Sequence, residues 1–200
     1  MKADEFDSII FDCDGVLIDV TKSYDTTINR TISYVLKEIA DITVDTPLTN
    51  EILLKFKSTG GFNDEIDITY SGILCFIAAE KLNKNPTEFI SEVLDNADDS
   101  GIVYAENFLS KINVDISDVK ARLGYPSTDK NDLIHATFDQ LFFGPELYNK
   151  IFQKKSNFSE KGFIENDNVI VNSELIEALK KKFNDKIAIV TGRGFNAISS

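Results

Sequence analysis

Two short apolar runs at opposite ends of a 200-residue chain, each opening directly into reactive side chains, constrain this fold more than any other feature. Ser8-Ile9-Ile10-Phe11 is bounded by aspartates and runs into Asp12-Cys13-Asp14-Gly15, while Ile187-Ala188-Ile189-Val190 runs into Thr191-Gly192-Arg193-Gly194. Unbroken apolar runs this short read as strands buried on both faces of a parallel sheet. Before the second run, Asn172 or Ser173 can cap a helix whose Leu175, Ile176, Leu179 and Phe183 share one face. Lys180, Lys181 and Lys182 lie near its C-terminal end, where cations complement the helix dipole. Helix followed by strand is an α/β unit, and pairing the two ends makes the residues between them an insertion.

That insertion is helical in pattern almost throughout. Ile28, Ile32, Val35, Leu36 and Ile39 form one apolar face; Asn50 can cap a segment carrying Ile52, Leu53 and Phe56; Ile68 to Leu82 reads as a largely buried helix. Asn85-Pro86 is a cap followed by proline at the first helical position, leading into Phe89, Ile90, Val93 and Leu94. Further helices are expected over Val103 to Ile112, Ile116 to Leu123 with Gly124 as its stop, and Leu133 to Phe143 before Gly144-Pro145. The expected architecture is an α/β core interrupted by a helical insertion.

The chemistry gathers at the two strand ends. Two aspartates at i and i+2 past a strand, Asp12 and Asp14, project into the crevice beyond the carboxyl edge of a parallel sheet, where such folds bind ligands. One carboxylate can act as nucleophile and metal ligand while the other moves protons. Attack on phosphorus gives an acyl phosphate and splits a difficult hydrolysis into two easier steps. Gly15 permits the turn that carries the chain away. At the other strand end, the Thr191 hydroxyl, the bend at Gly192 and the fixed cation of Arg193 make an anion cradle suited to a phosphoryl oxygen. Hard oxygen ligands without histidine or cysteine favour magnesium over zinc and imply a catalytic magnesium, which would also neutralise a dianionic phosphate facing Asp12 and Asp14.

Composition removes competing classes. Thirty-three acids against 21 bases give a net charge of −12, which repels a nucleic-acid backbone unless the bases form a patch, and none is visible. The longest mainly apolar stretch, Ile73 to Ala79, is too short to cross a bilayer. Met1-Lys2-Ala3-Asp4-Glu5 is acidic where a secretory signal is basic and then apolar, so a soluble cytoplasmic protein is expected. Cys13 and Cys75 lack a CxxC spacing, which indicates neither a disulfide framework nor a zinc site.

Asp12-Cys13-Asp14-Gly15-Val16-Leu17 resembles motif I (DxDGVL) of the haloacid dehalogenase superfamily, and Val190-Thr191-Gly192-Arg193 resembles its motif II. The resemblance implies a Rossmann-like core with an inserted helical cap: residues 1–18 as core, 19–168 as cap and 169–200 as core again. It implies Asp12 as the phosphoryl-accepting nucleophile, Asp14 as the general acid/base that also binds magnesium through its main-chain carbonyl, and Thr191 as the hydroxyl that holds the phosphoryl group. Aspartate at position 14 favours phosphate chemistry over carbon–halogen cleavage. The implied activity is a magnesium-dependent phosphatase, phosphoglycolate phosphatase-like, acting on a small phosphorylated metabolite. A phosphomutase using the same aspartyl phosphate is the enzymatic alternative.

The family's motif III lysine and motif IV acidic pair follow motif II, yet the short tail after Thr191 contains no Lys, Asp or Glu. The expectation is a core incomplete at its C-terminus, the chain being a fragment of a longer protein. A binding or regulatory protein with a remnant core is the alternative if the chain is whole. The inserted cap is long, which suggests a small, enclosed substrate. Its most site-like stretch is Lys57-Ser58-Thr59-Gly60-Gly61-Phe62-Asn63-Asp64, where Gly60 and Gly61 allow backbone N–H groups to approach a ligand and Lys57 and Asn63 serve as polar readers.

Other marked residues have plainer readings. Asp19 reads as a cap for the helix beginning near Lys22, and His135, the sole histidine, as a packing residue. Cys13 is expected to be unreactive because flanking carboxylates disfavour a thiolate. Arg193 reads equally as a structural ion pair or a phosphate contact.

Overall fold

The computed structural model describes residues 6–62, 64–127 and 131–193. The fold is mixed α/β and mostly helical. In chain order the described elements are β1 (Ile9–Asp12), β2 (Ile18–Asp19), α1 (Thr21–Ala40), α2 (Asn50–Ser58), α3 (Glu65–Lys81), α4 (Pro86–Leu94), α5 (Ile102–Lys111), α6 (Ser117–Leu123), α7 (Leu133–Phe152), a 3₁₀ turn (Phe163–Asn166), β3 (Asn168–Val169), α8 (Ser173–Phe183) and β4 (Ile187–Val190).

The main hydrophobic core lies within the helical region and centres on α3, which is buried on all sides from Ile68 to Ala79. A helix apolar all round must sit inside a bundle rather than on its surface. Ile28, Ile32, Val35 and Leu36 of α1 form one face of that core, and Phe56, Phe89, Ile90 and Phe138 come from α2, α4 and α7. Gly72 brings α1 against α3: a methyl there would lie 2.9 Å from the Cδ1 of Ile32.

Most helix starts are capped as their sequences suggest. Asp64 accepts from the Ile66 amide at 2.8 Å, Asn85 from Glu88 at 3.1 Å ahead of Pro86, and Asn172 from Leu175 at 2.8 Å. Gly124, left-handed, stops α6. At α2 the cap is Thr49, whose hydroxyl accepts from the Ile52 amide; Asn50 is already the first helical residue. The helical pattern expected to stop at Phe143 resumes after a break. Gly144, whose place before Pro145 disfavours the helical region, is non-helical (φ 71°, ψ 171°), with the backbone of Gly162 where a side chain would lie, and Pro145 then opens a second helical segment that runs to Phe152.

β1 and β4 pair in parallel, with Ile9 opposite Ile187 and Asp12 opposite Val190. β2 and β3 form an antiparallel ribbon, Ile18 with Val169 and Asp19 with Asn168, where the chain enters and leaves the helical bundle. At two residues each these strands are too short to leave a periodic signal. The expectation that β1 and β4 are buried on both faces is corrected: Ile10 is 67% exposed, Ile189 57% and Val190 65%. Among the described residues no third strand flanks the pair, and α8 buries only Phe183, so one helix against two strands leaves much apolar surface uncovered.

Candidate functional site

The parallel register decides where the marked residues meet. Asp12 stands opposite Val190, so Asp12 and Thr191 leave the sheet at the same edge. Asp12 is exposed, and its Oδ1 accepts the Cys13 amide at 2.7 Å. Past it, the chain folds back so that Cys13 C=O accepts the Leu17 and Ile18 amides, with Gly15 at positive φ. This tight turn directs Asp14 across to the end of β4.

There Arg193 takes hold of it. The Arg193 Nε donates to Asp14 Oδ1 at 2.7 Å and Nη1 donates to Asp167 Oδ2 at 2.7 Å, with only 7% of the arginine side chain exposed. The Arg193 amide donates to the Thr191 hydroxyl at 3.1 Å, across the bend at Gly192. Of the two sequence readings of Arg193, the observed geometry is the ion pair. Asp167 in turn accepts from the hydroxyl of Ser23, in the first turn of α1.

Helical residues face Asp14 from the other side. The Tyr24 hydroxyl lies 3.5 Å from Asp14 Oδ2, and burial, reinforced by Asp14 and Glu65, pushes its ionisation up. Burial likewise raises Glu65 above the ordinary glutamate range; Asp64 and Asp14 push the same way, while Lys57 opposes. Lys57 pairs with Asp25 at 2.6 Å. Beside Arg193, a cavity of about 750 Å³ opens between Ile18, the Gly144 break and the segment 159–167; neither Asp12 nor Thr191 lines it.

The structure thus brings Asp14, Thr191 and Arg193 into contact and sets Asp12 at the same edge. Gly61 has a packing reason of its own, since a methyl on it would come 2.5 Å from the Asp98 carbonyl and 2.6 Å from the Gly101 amide nitrogen. Asn63 lies outside the described residues. The Cys13 thiol is raised, first by burial and then by Asp14, in line with an unreactive cysteine. Asp19 accepts the Thr21 amide at 3.0 Å at the start of α1. His135 pairs with Asp132 at 2.7 Å and packs against Tyr125. Asp167, Ser23, Tyr24 and Glu65 carry no local sequence signal; the starts of α1 and α3 and the return of the chain before β3 gather them around Asp14 and Arg193.

Asp12 offers an exposed carboxylate at this edge, the hard-oxygen donor type that magnesium takes. Among the described residues no group of three or more His, Cys, Asp or Glu side chains could hold a metal.

No protein-family model matches the chain, and no curated protein matches it. Its fold is similar to that of phosphatase Tt82 from Thermococcus thioreducens, with a TM-score of 0.60 and 21% identity over 95% of this chain and 65% of that one. It is also similar to a Northeast Structural Genomics Consortium target, ZR25, with a TM-score of 0.60 and 18% identity over 96% of this chain and 64% of that one. The chain therefore spans about 65% of the length of these solved structures. At such identities the likeness is one of fold alone. No helix among the described residues is long and apolar enough to cross a membrane.

Proposed function

We propose that this chain carries the nucleophile and phosphate clamp of a magnesium-dependent phosphatase of the haloacid dehalogenase type, acting on a small phosphorylated metabolite. The observation that carries the reading is the parallel register that sets Asp12 and Thr191 at one sheet edge, with Asp14 held beside them by Arg193. The fold shared with a protein named as a phosphatase is consistent with it.

In this reading an Asp12 carboxylate oxygen attacks phosphorus, the bond to the leaving oxygen breaks, and Asp14 gives that oxygen its proton. Asp14 then takes a proton from the water that attacks the acyl phosphate, releasing orthophosphate and restoring the Asp12 carboxylate. The Thr191 hydroxyl and the Gly192 amide orient the phosphoryl oxygens. Arg193 fixes one oxygen of Asp14 and leaves Oδ2 for proton transfer. Magnesium, held by the Asp12 carboxylate and the Asp14 carbonyl, would neutralise phosphate charge as it approaches the carboxylates.

The test is orthophosphate release from a generic aryl phosphate ester with and without magnesium. Metal-dependent release above the buffer rate is the expected result; none from a folded chain would count against the reading.

A further inference from the structure

We infer that Asp167 is a positioning residue for Asp14, acting through Arg193. The three side chains form one linear array. Asp14 Oδ1 accepts from Nε, Asp167 Oδ2 accepts from Nη1, each at 2.7 Å, and the other Asp167 oxygen accepts from the Ser23 hydroxyl, whose oxygen also lies 2.9 Å from the Val20 carbonyl. The array joins four stretches: the turn after β1, the first turn of α1, the chain returning from the bundle just before β3, and the loop after β4.

The chemistry of the guanidinium explains why the remote carboxylate matters. Arg193 is buried, with 7% of its side chain exposed, and its Nη2 has no hydrogen-bond partner among the described residues. A buried arginine with unspent donors seeks a carboxylate, and the preferred arrangement is a fork taking both oxygens of one carboxylate. Asp167, only 12% exposed, engages Nη1 on the edge opposite Nε and so fixes the rotation of the guanidinium, with Nη2, the donor that a fork onto Asp14 would use, held off Oδ2. Arg193 thus holds Asp14 by one oxygen, and among the described residues the Asp14 Oδ2 has the Tyr24 hydroxyl at 3.5 Å. Without the Asp167 carboxylate the guanidinium loses that anchor, and its unpartnered Nη2 can rotate onto Asp14 Oδ2, the oxygen the proposed mechanism uses for proton transfer.

The kinetic arm rests on the phosphatase reading; a second arm does not. In the full chain, Asp167→Ala is expected to lower kcat by about 10²-fold with KM little changed, the scale seen when a reacting group is displaced by about an ångström. Asp167→Asn, which keeps an oxygen facing Nη1, should recover part of that loss, and Ser23→Ala should show a smaller loss in the same direction. The second arm follows the Arg193 Nε–H resonance, bonded to Asp14, by NMR. It should shift in Asp167→Ala and, less, in Ser23→Ala, the milder variant should the first not fold. If the wild-type chain turns over no ester, the phosphatase reading fails and the resonance alone decides. A lower melting temperature with unchanged kcat and an unmoved Arg193 resonance would make Asp167 purely structural and overturn the proposal.

Discussion

The Nε of Arg193 lies 2.7 Å from Oδ1 of Asp14, and this one contact ties the loop after the last described strand to the loop after the first. Asp14 is 30% exposed, so solvent shares in screening the pair. Asp167 on the other side of the guanidinium is nearly buried. Arg193→Ala leaves two carboxylates facing one another across an emptied space, and should destabilise the fold by about 2–4 kcal/mol, somewhat below the loss typical for breaking a fully buried pair. Arg193→Lys should recover little, because an ammonium cannot span two carboxylates as a planar fork does. Chemical denaturation of the three proteins checks both statements.

The uneven burial of apolar side chains gives a second expectation. Ile189 on β4 is largely exposed whereas Ile28 on α1 is fully buried. Ile189→Thr should change stability by less than about 0.5 kcal/mol, while Ile28→Ala should cost about 2–5 kcal/mol through lost burial and the cavity left behind. Comparable losses at the two positions would show that the β1–β4 pair is covered by a layer absent from the described residues.

Gly61 is expected to be intolerant of a side chain for reasons of packing. Its Cα faces the backbone of Asp98 and Gly101 at distances that a methyl would violate. Gly61→Val should therefore destabilise the helical region by about 1–3 kcal/mol, the usual scale of overpacking. A melting temperature equal to that of the parent chain would remove the packing role and return the glycine to its reading as a ligand-approach position.

Glu65 supplies a pH dependence. Its carboxyl ionises above the ordinary glutamate range in the folded chain, chiefly because it is buried, with Asp64 and Asp14 adding to the effect. An acid with a raised folded-state pKa is easier to ionise in the unfolded chain. Its ionisation therefore costs stability, from the ordinary glutamate range upward through the raised value. Glu65→Gln should remove that cost, so the variant gains stability relative to wild type as pH rises across this window and is indistinguishable below it. Melting temperatures of both proteins across pH give the comparison; a difference that does not vary with pH would place the effect elsewhere.

What could be read from the sequence follows how local each signal is. The caps at Asn85 and Asn172, the stop at Gly124 and the apolar face of α1 are set by residues within a turn or two of one another, and they appear in the structure at those residues. The Asp12 and Thr191 strand ends were visible because each combines a short apolar run with reactive residues, and the parallel pairing of those runs is observed. Burial of the runs was not legible, since it depends on how many layers cover a sheet. The stop at Gly144-Pro145 was marked by that dipeptide, whereas the second helical segment beyond it and the approach of Gly162, distant in sequence, to Gly144 were not. Asp167 and Ser23 were invisible for the same reason: an aspartate before a strand and a serine in a first turn have ordinary local explanations, and only the closed array around Arg193 gives them another.

Asp12 offers the most direct test of the central claim. It is exposed, its carboxylate accepts the neighbouring Cys13 amide, and the isosteric amide can accept the same bond. Asp12→Asn should therefore keep the wild-type melting temperature within the small range expected of a surface change. Steady-state hydrolysis of an aryl phosphate ester in the presence of magnesium is the measurement. The account predicts that the wild-type chain releases orthophosphate and that folded Asp12→Asn does not; substantial turnover by the variant would contradict the assignment of Asp12 as the nucleophile.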